Sequence, residues 1–492
     1  MEPVKANAPR LLALALVAAG FFALAGLAWH QMAILGDGFW TIATGRWLIA
    51  HRSLPSSDPF AFGSMPGSWV IVSSGACALF ALVTDHFGPR GLMVFAAGVE
   101  ALAVWLLWTR TARTAASRVM LLPLALFFVQ VDAADLSARG QIFGDLGLVL
   151  LLFLLARLRD GARVRGSLAL VLPLVAVWAN LHLSFVIALV LPIAAAGMAA
   201  LEPRASRPAL WPFLAASCVA LVGACLNPYG PVYLRLALGT ALDPSTQRLD
   251  LFQSPGFHEP SWLVAPVLGV VLVIARGRWG GDRMRLPEQT LVLLFLVAAC
   301  TSRRFATSLV AVEMAIAGPL LDTFDLPRAR IAAHMPRLVA GASAFATAIG
   351  TWWIAHGNDP LGDVPVAAAL VARDAARARV ASHQTFVNVV EPLHWGGYFA
   401  YAWMGEPRYF IDGRDHLKLF GNGAFDDDRT LSQGDPGALE VLDVYEAGVV
   451  VWPHGWRIDA LLRASPSWRL AYADAIAEVY VRVPARRPRR YS

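Results

Sequence analysis

Residues 11–35, LLALALVAAGFFALAGLAWHQMAIL, followed at once by Gly36-Asp37-Gly38-Phe39-Trp40, decide the class of this chain. The run holds no Asp, Glu, Lys or Arg and exceeds the ~20 residues that a helix rising ~1.5 Å per residue needs to cross hydrocarbon. It ends on a lone carboxylate with Trp29 and Trp40 on either side, as a membrane surface demands. Working outward, 57% hydrophobic residues, 15% charge and a mean hydropathy of +0.54 exclude a water-soluble globule. The apolar segments are long and continuous, without strand-length alternation. The chain therefore reads as a polytopic α-helical membrane protein and not as a barrel.

Spanning helices are expected at 11–35, 90–109, 119–131, 141–156, 167–179, 183–201, 209–226, 262–275, 287–300, 305–321 and 338–355, about eleven in all. With the N-terminus cytoplasmic, the inner links 1–10, 110–118, 157–166, 202–208, 276–286 and 322–337 hold 18 Lys or Arg in 63 residues. The outer segments 36–90, 132–140, 180–182, 227–261 and 301–304 hold 8 in 106. Basic residues are retained on the cytoplasmic side, so the contrast sets the orientation. It also decides residues 69–87. Counting them as a crossing would send the arginine-rich links after them to the outer face, so they read as an interfacial or re-entrant helix. A cleaved signal peptide is the rival reading of the N-terminus, with Lys5 and Arg10 as its basic region and Ala23-Leu24-Ala25 as its site; the apolar run continuing to Leu35 favours a span.

The net charge of +6 is distributed by topology and forms no patch, which argues against nucleic acid as a partner and leaves membrane lipids as the surroundings. Cys77, Cys218, Cys225 and Cys300 all lie in apolar segments without CxxC spacing, and imply neither a disulfide framework nor a zinc site. The organisation expected is a transmembrane domain, 1–357, with a long first extracytoplasmic loop at 36–90, and a small soluble α/β domain, 358–492, on the extracytoplasmic side. In that domain 365–381 has helical spacing, 385–390, 408–411 and 448–452 read as strands, and 468–483 as a strand pair. The terminal Arg486-Arg487-Pro488-Arg489-Arg490 reads as a solvated, disordered tail.

Polar residues gather in the outer segments, where a charge near membrane depth is costly and so is paired or functional. Asp37, Arg46 and Asp58 stand in the first loop, Asp132, Asp135 and Arg139 in the second, and Asn180 and His182 in Trp178-Ala179-Asn180-Leu181-His182. Later segments add Asn227, Tyr229, His258 and Glu259, then Arg303 and Arg304. Asp37 is a candidate base, metal ligand or proton relay; its structural alternative is a cap on an amphipathic helix at 39–50. Asp58, before Pro59, reads as a turn residue. Asp132 and Asp135, three apart on one helical face, suit either a catalytic or metal role or an ion pair with Arg139. His182 suits catalysis or backbone satisfaction. Arg46, Asn180, Arg303 and Arg304 are candidates for binding substrate or phosphate, since guanidinium offers bidentate geometry; snorkelling to the interface is the alternative for the arginine pair.

The first-loop acid followed by an aromatic, Ala43-Thr44-Gly45-Arg46-Trp47 and Leu54-Pro55-Ser56-Ser57-Asp58-Pro59-Phe60 resemble bacterial members of the GT-C superfamily of membrane glycosyltransferases, which includes protein O-mannosyltransferases and aminoarabinose transferases. The likeness extends to Trp178-Ala179-Asn180-Leu181-His182, Asn227-Pro228-Tyr229-Gly230, Trp395-Gly396-Gly397-Tyr398 and Asp412-Gly413-Arg414. It implies a multi-pass protein of the bacterial inner membrane that moves a sugar from a polyprenyl phosphate to a glycan, lipid or protein acceptor. Asp37 would be the general base and Asp132 or Asp135 a second acid orienting acceptor or metal. No cofactor is required by the residues, although a divalent cation, magnesium or manganese, is admissible. Two other classes compete: a transporter or flippase for a lipid-linked or polar substrate, and a non-catalytic scaffold binding glycan or partner proteins through Trp395, Tyr398 and Trp403, whose structural alternative is the core of a small domain.

Overall fold

The computed structural model describes residues 2–484 apart from 66, 68, 72, 132–136, 162, 205–206, 243–253, 255–259, 280–285, 324–327, 363 and 415–419. Asp132, Asp135, His258, Glu259 and the basic tail therefore lie outside the described residues. The chain forms two compact units that interleave in sequence: residues 1–33 with 92–358, and residues 34–91 with 359–492. The long first loop thus clusters with the C-terminal segment.

Seven helices among the described residues are long and apolar enough to cross a membrane: Leu11–Gln31, Ser74–Thr111, Gln141–Arg159, Val164–Leu181, Leu183–Ala200, Arg303–Asp322 and His334–Ala355. Four shorter apolar helices accompany them, Ala115–Val131, Trp211–Ala224, Leu263–Ala275 and Gln289–Thr301, and every stretch expected to span falls on one of these helices. Helix Ser74–Thr111 is two helices joined across a kink, where Gly88 takes φ 71° and ψ 177° ahead of Pro89. Such a conformation is cheap only for glycine, and proline then starts the next helix without losing a bond. The break falls where the sequence separates 69–87 from the span at 90–109.

Within the first unit the helices pack through small residues. Glu2–Gln31 runs along Arg328–Ala355 with Gly26 against Gly350, so close that a Cβ on Gly26 would stand 2.7 Å from the Gly350 oxygen. Helices in lipid gain nothing from excluding water, and such close backbone approach supplies the dispersion contact instead. Val177, Val222 and Phe345 are more than half exposed on their helices, as lipid-facing side chains are.

The second unit carries a four-stranded sheet: β1 (Asn388–Val390), β2 (Ala447–Pro453), β3 (Trp468–Ala473) and β4 (Ala477–Arg482), in the order β1-β2-β4-β3. β1 runs parallel to β2, and β4 pairs antiparallel with both β2 and β3, setting Tyr480 opposite Val450 and Leu470. Every residue of β2 is buried, which explains its unbroken apolar sequence. Helix Val366–Ala381 covers it with Ala368, Ala369, Ala372 and Ala376. The strand expected at 408–411 is reduced to isolated bridges from Tyr409 to Ala61 and to Val389. Helix Leu393–Trp403, which the sequence reading did not anticipate, packs against the first-loop helix Gly36–His51.

Candidate active site

Asp37 stands in the first turn of helix Gly36–His51, where a negative charge is favoured by the helix dipole. It is not the residue that caps this helix, since the N-cap position is Leu35 and no side chain caps there. The Trp40 indole donates to Asp37 Oδ1 at 3.1 Å, and the Thr41 hydroxyl donates to the Asp37 carbonyl at 2.5 Å. Three segments that the sequence singled out meet at this helix terminus through glycine. A Cβ on Gly397 would collide with the Gly36 carbonyl, one on Gly396 would collide with the Ile411 carbonyl, and one on Gly413 would stand 2.9 Å from Asp37 Oδ1. The glycines of Trp395-Gly396-Gly397-Tyr398 and Asp412-Gly413-Arg414 are therefore what lets three backbones close around one carboxylate.

Behind this convergence lies a buried ionic cluster. Asp58 and Arg414 form a bidentate pair, Oδ1 with Nη1 and Oδ2 with Nη2, each at 2.8 Å. Arg414 Nε donates to both oxygens of Asp412 at 3.0 and 2.8 Å, and Tyr409 donates its hydroxyl proton to Asp412 Oδ2. The guanidinium lies over the Trp69 ring at 4.5 Å and the Phe60 ring at 5.1 Å. Arg414 is 1% exposed and Asp412 0%. Burial, then the charge of Asp58, lifts the Asp412 carboxyl above its ordinary value; burial lifts Glu391, which accepts the Phe410 and Ile411 amides at 3.1 Å, well above it. Arg414, although desolvated, is held charged by Asp412 and Asp58. Asp58 does form the expected turn, accepting from the Phe60 and Ala61 amides at 2.9 and 3.3 Å, yet its main partner is the distant arginine.

The first unit brings a second set together. The Trp178 indole donates to the Ser184 hydroxyl at 3.0 Å, and the Ser184 hydroxyl is 2.7 Å from His182 Nδ1, which also accepts the Ser184 amide at 3.3 Å. An amide N–H only donates, so Nδ1 is the acceptor and the ring proton belongs on Nε2. Burial first, then the positive charges of Arg304 and Arg139, hold this imidazole down at about 3, so it is neutral. Arg303 and Arg304 begin the 3-10 turn Arg303–Phe305 that opens helix Ala306–Thr323. A neutral ring donor among guanidinium groups is suited to an anion such as phosphate.

The remaining candidates are occupied otherwise. Arg46 pairs with Asp85 at 2.7 Å and lies 4.7 Å over the Tyr401 ring. The Asn180 amide group donates to the Ala176 and Leu226 carbonyls, both at 2.8 Å, joining the end of helix Val164–Leu181 to the segment just after helix Trp211–Ala224. Trp395, Tyr398 and Trp403 are 5–6% exposed and form core, so they offer no glycan platform. Among the described residues no group of three or more His, Cys, Asp or Glu is placed to hold a metal ion. Glu100, Asp145 and Glu313, absent from the candidates above, are all buried in span-forming helices, where an acid inside an apolar run is the signal that marks them.

Comparison with protein-family models and with curated proteins gives no match. Among solved structures, the chain is similar to the oligosaccharyltransferase of Archaeoglobus fulgidus tethered with an acceptor peptide containing the NVT sequon, with a TM-score of 0.60 at 12% identity over 90% of this chain and 69% of that one. It is similar to that protein in its apo form, with a TM-score of 0.54. It is also similar to ArnT from Cupriavidus metallidurans bound to undecaprenyl phosphate, with a TM-score of 0.57 at 14% identity over 98% of this chain and 99% of that one. At these identities the likeness shows the fold alone: this chain is folded like these two proteins.

Proposed function

We propose that this chain, having the GT-C fold, is a membrane glycosyltransferase that moves a sugar from a polyprenyl phosphate donor to an acceptor hydroxyl, with Asp37 as general base. The reading rests on one observation above the others: the Asp37 carboxylate stands where three glycine-bearing segments converge, on a fold shared with a protein bound to undecaprenyl phosphate. The carboxylate takes the acceptor proton as the nucleophile attacks the anomeric carbon. Direct displacement then inverts that centre. Arg303 and Arg304, with the neutral His182 Nε2–H, form within the first unit a donor group whose charge suits a lipid phosphate. A glycan, lipid or peptide acceptor fits this scheme equally, as does operation at the extracytoplasmic face of a bacterial inner membrane. Asp132 and Asp135 remain candidates for orienting the acceptor or a divalent cation, and no step is drawn through a metal.

The test uses the full-length protein in proteoliposomes with radiolabelled undecaprenyl phosphate hexose and an envelope extract as acceptor. Asp37→Asn is expected to lower transfer by about 100-fold or more with its thermal midpoint unchanged, the range in which a positioned base acts. Arg303→Gln or Arg304→Gln is expected to raise the donor KM by roughly tenfold or more, for loss of a charged hydrogen bond. Labelled lipid that crosses the bilayer with no new glycosidic bond would replace this reading with transport.

A further inference from the structure

We propose that Gly413, with the Asp58–Arg414 ion pair behind it, is the positioning element for the Asp37 carboxylate. The inference builds on Asp37 as the base, but its geometric core stands on the second unit alone. Arg414 is fixed at both ends of its fork. Its terminal nitrogens meet both Asp58 oxygens at 2.8 Å, while Nε and the backbone amide both return to Asp412. Asp412 in turn accepts the Arg414 amide at 2.8 Å, closing a tight turn around the one residue between them. Planar guanidinium held bidentately at full burial allows little rotation, so residues 412–414 can move only by breaking several charged hydrogen bonds at once.

That locked turn ends against the carboxylate. Gly413 presents bare backbone, and the space a methyl group would need there lies 2.9 Å from Asp37 Oδ1 and 3.9 Å from Trp40 Nε1. Trp40 donates to the same oxygen at 3.1 Å. Oδ1 is thus hydrogen-bonded by the indole and walled by Gly413, and fixing one oxygen fixes the plane of the carboxylate. The helix that carries Asp37 and the turn that confines it come from opposite ends of the sequence. Asp58, which follows that helix in the first loop, joins the two by bonding Arg414 across 356 positions. A general base has to be held to a fraction of an ångström, and a displacement of about 1 Å costs on the order of 100-fold in rate.

The primary test is geometric and independent of any substrate. In the full-length protein in native membranes, Asp37→Cys combined with Gly413→Cys is expected to form a disulfide under copper phenanthroline, since disulfides need Cβ atoms about 3.5–4.5 Å apart. Adding Asp58→Asn is expected to slow that cross-link by about tenfold, the effect of losing a charged hydrogen bond worth ~1.5 kcal/mol. Absence of the cross-link in a protein with the wild-type thermal midpoint, or a rate unchanged by Asp58→Asn, overturns the proposal. Should Asp58→Asn fail to fold, Gly413→Ala supplies the second arm, assayed with radiolabelled undecaprenyl phosphate hexose. It is expected to lower kcat by about 100-fold with donor KM and thermal midpoint unchanged, and an unchanged kcat overturns the positioning role. The two readings separate cleanly: transfer surviving in Asp37→Asn removes the base, whereas transfer lost in Asp37→Asn but intact in Gly413→Ala removes only the positioning.

Discussion

The two units treat buried polarity in opposite ways. In the second, Asp58, Asp412, Glu391 and Arg414 sit at 5% exposure or less, and each meets oriented partners: amides, a phenol or a fork of charged hydrogen bonds. In the first, Glu313 is equally buried in helix Ala306–Thr323, yet neither carboxyl oxygen has a hydrogen-bond partner among the described residues. There the backbone satisfies itself within helices, packing is largely a matter of shape, and polar groups that do pair, such as Arg159 with Glu202 and His182 with Ser184, stand near helix ends. Directional bonds therefore specify position in the second unit, whereas fit between small residues specifies it in the first. Polar substitutions should be felt as lost folding in one and as lost binding in the other.

The strongest challenge to that contrast is Arg414→Met, which leaves Asp58 and Asp412 buried without their counter-charge. It is expected to destabilise the second unit by about 3–5 kcal/mol, read as a lower unfolding midpoint of the full chain in detergent; an unchanged midpoint would break the comparison. Gly397→Ala and Gly341→Ala come next as a pair. The first drives a methyl group into the Gly36 carbonyl and should cost about 1–3 kcal/mol, while Gly341 faces open space inside a helix and should gain about 0.5–1 kcal/mol on gaining a side chain.

A smaller effect depends on pH. Burial raises the Asp428 carboxyl, which accepts the Leu393 amide at 3.0 Å, from 3.8 to about 6. Folding then favours the protonated form, so the contribution of this group is complete below the unfolded value and is lost as pH rises through the folded one. The wild-type midpoint should decline more steeply than that of Asp428→Asn between pH 3.8 and about 6; parallel curves would refute it. Least of all, Asp85→Asn removes an ion pair whose partners are 27% and 43% exposed, and should change stability by no more than ~0.5 kcal/mol at ordinary salt.

Much of the first unit was legible in the sequence because its governing signal is local. Each apolar run announces its own helix, and the positions expected to span coincide with the apolar helices found. The second unit was legible only in pieces. Val366–Ala381, β2 and the β3–β4 pair follow from period and β-branched content, whereas 408–411, expected as a strand, makes only single bridges because residues from the first loop and from β1 reach it one at a time. Asp58 read as a turn residue for sound local reasons, and it does make that turn. Trp395, Tyr398 and Trp403 read either as an aromatic platform or as core of a small domain, and their burial places them in the core.

By itself the amino-acid sequence determined that this is a multi-pass helical membrane protein with a separate polar module, since transfer of each segment between water and hydrocarbon depends on that segment alone. Only the tertiary structure decided that the first loop belongs with the C-terminal module, and that Asp58 meets Arg414 while Gly413 meets Asp37. The reason is range: propensity, capping and periodicity act over a few residues, and a partner 356 positions away leaves no trace in them.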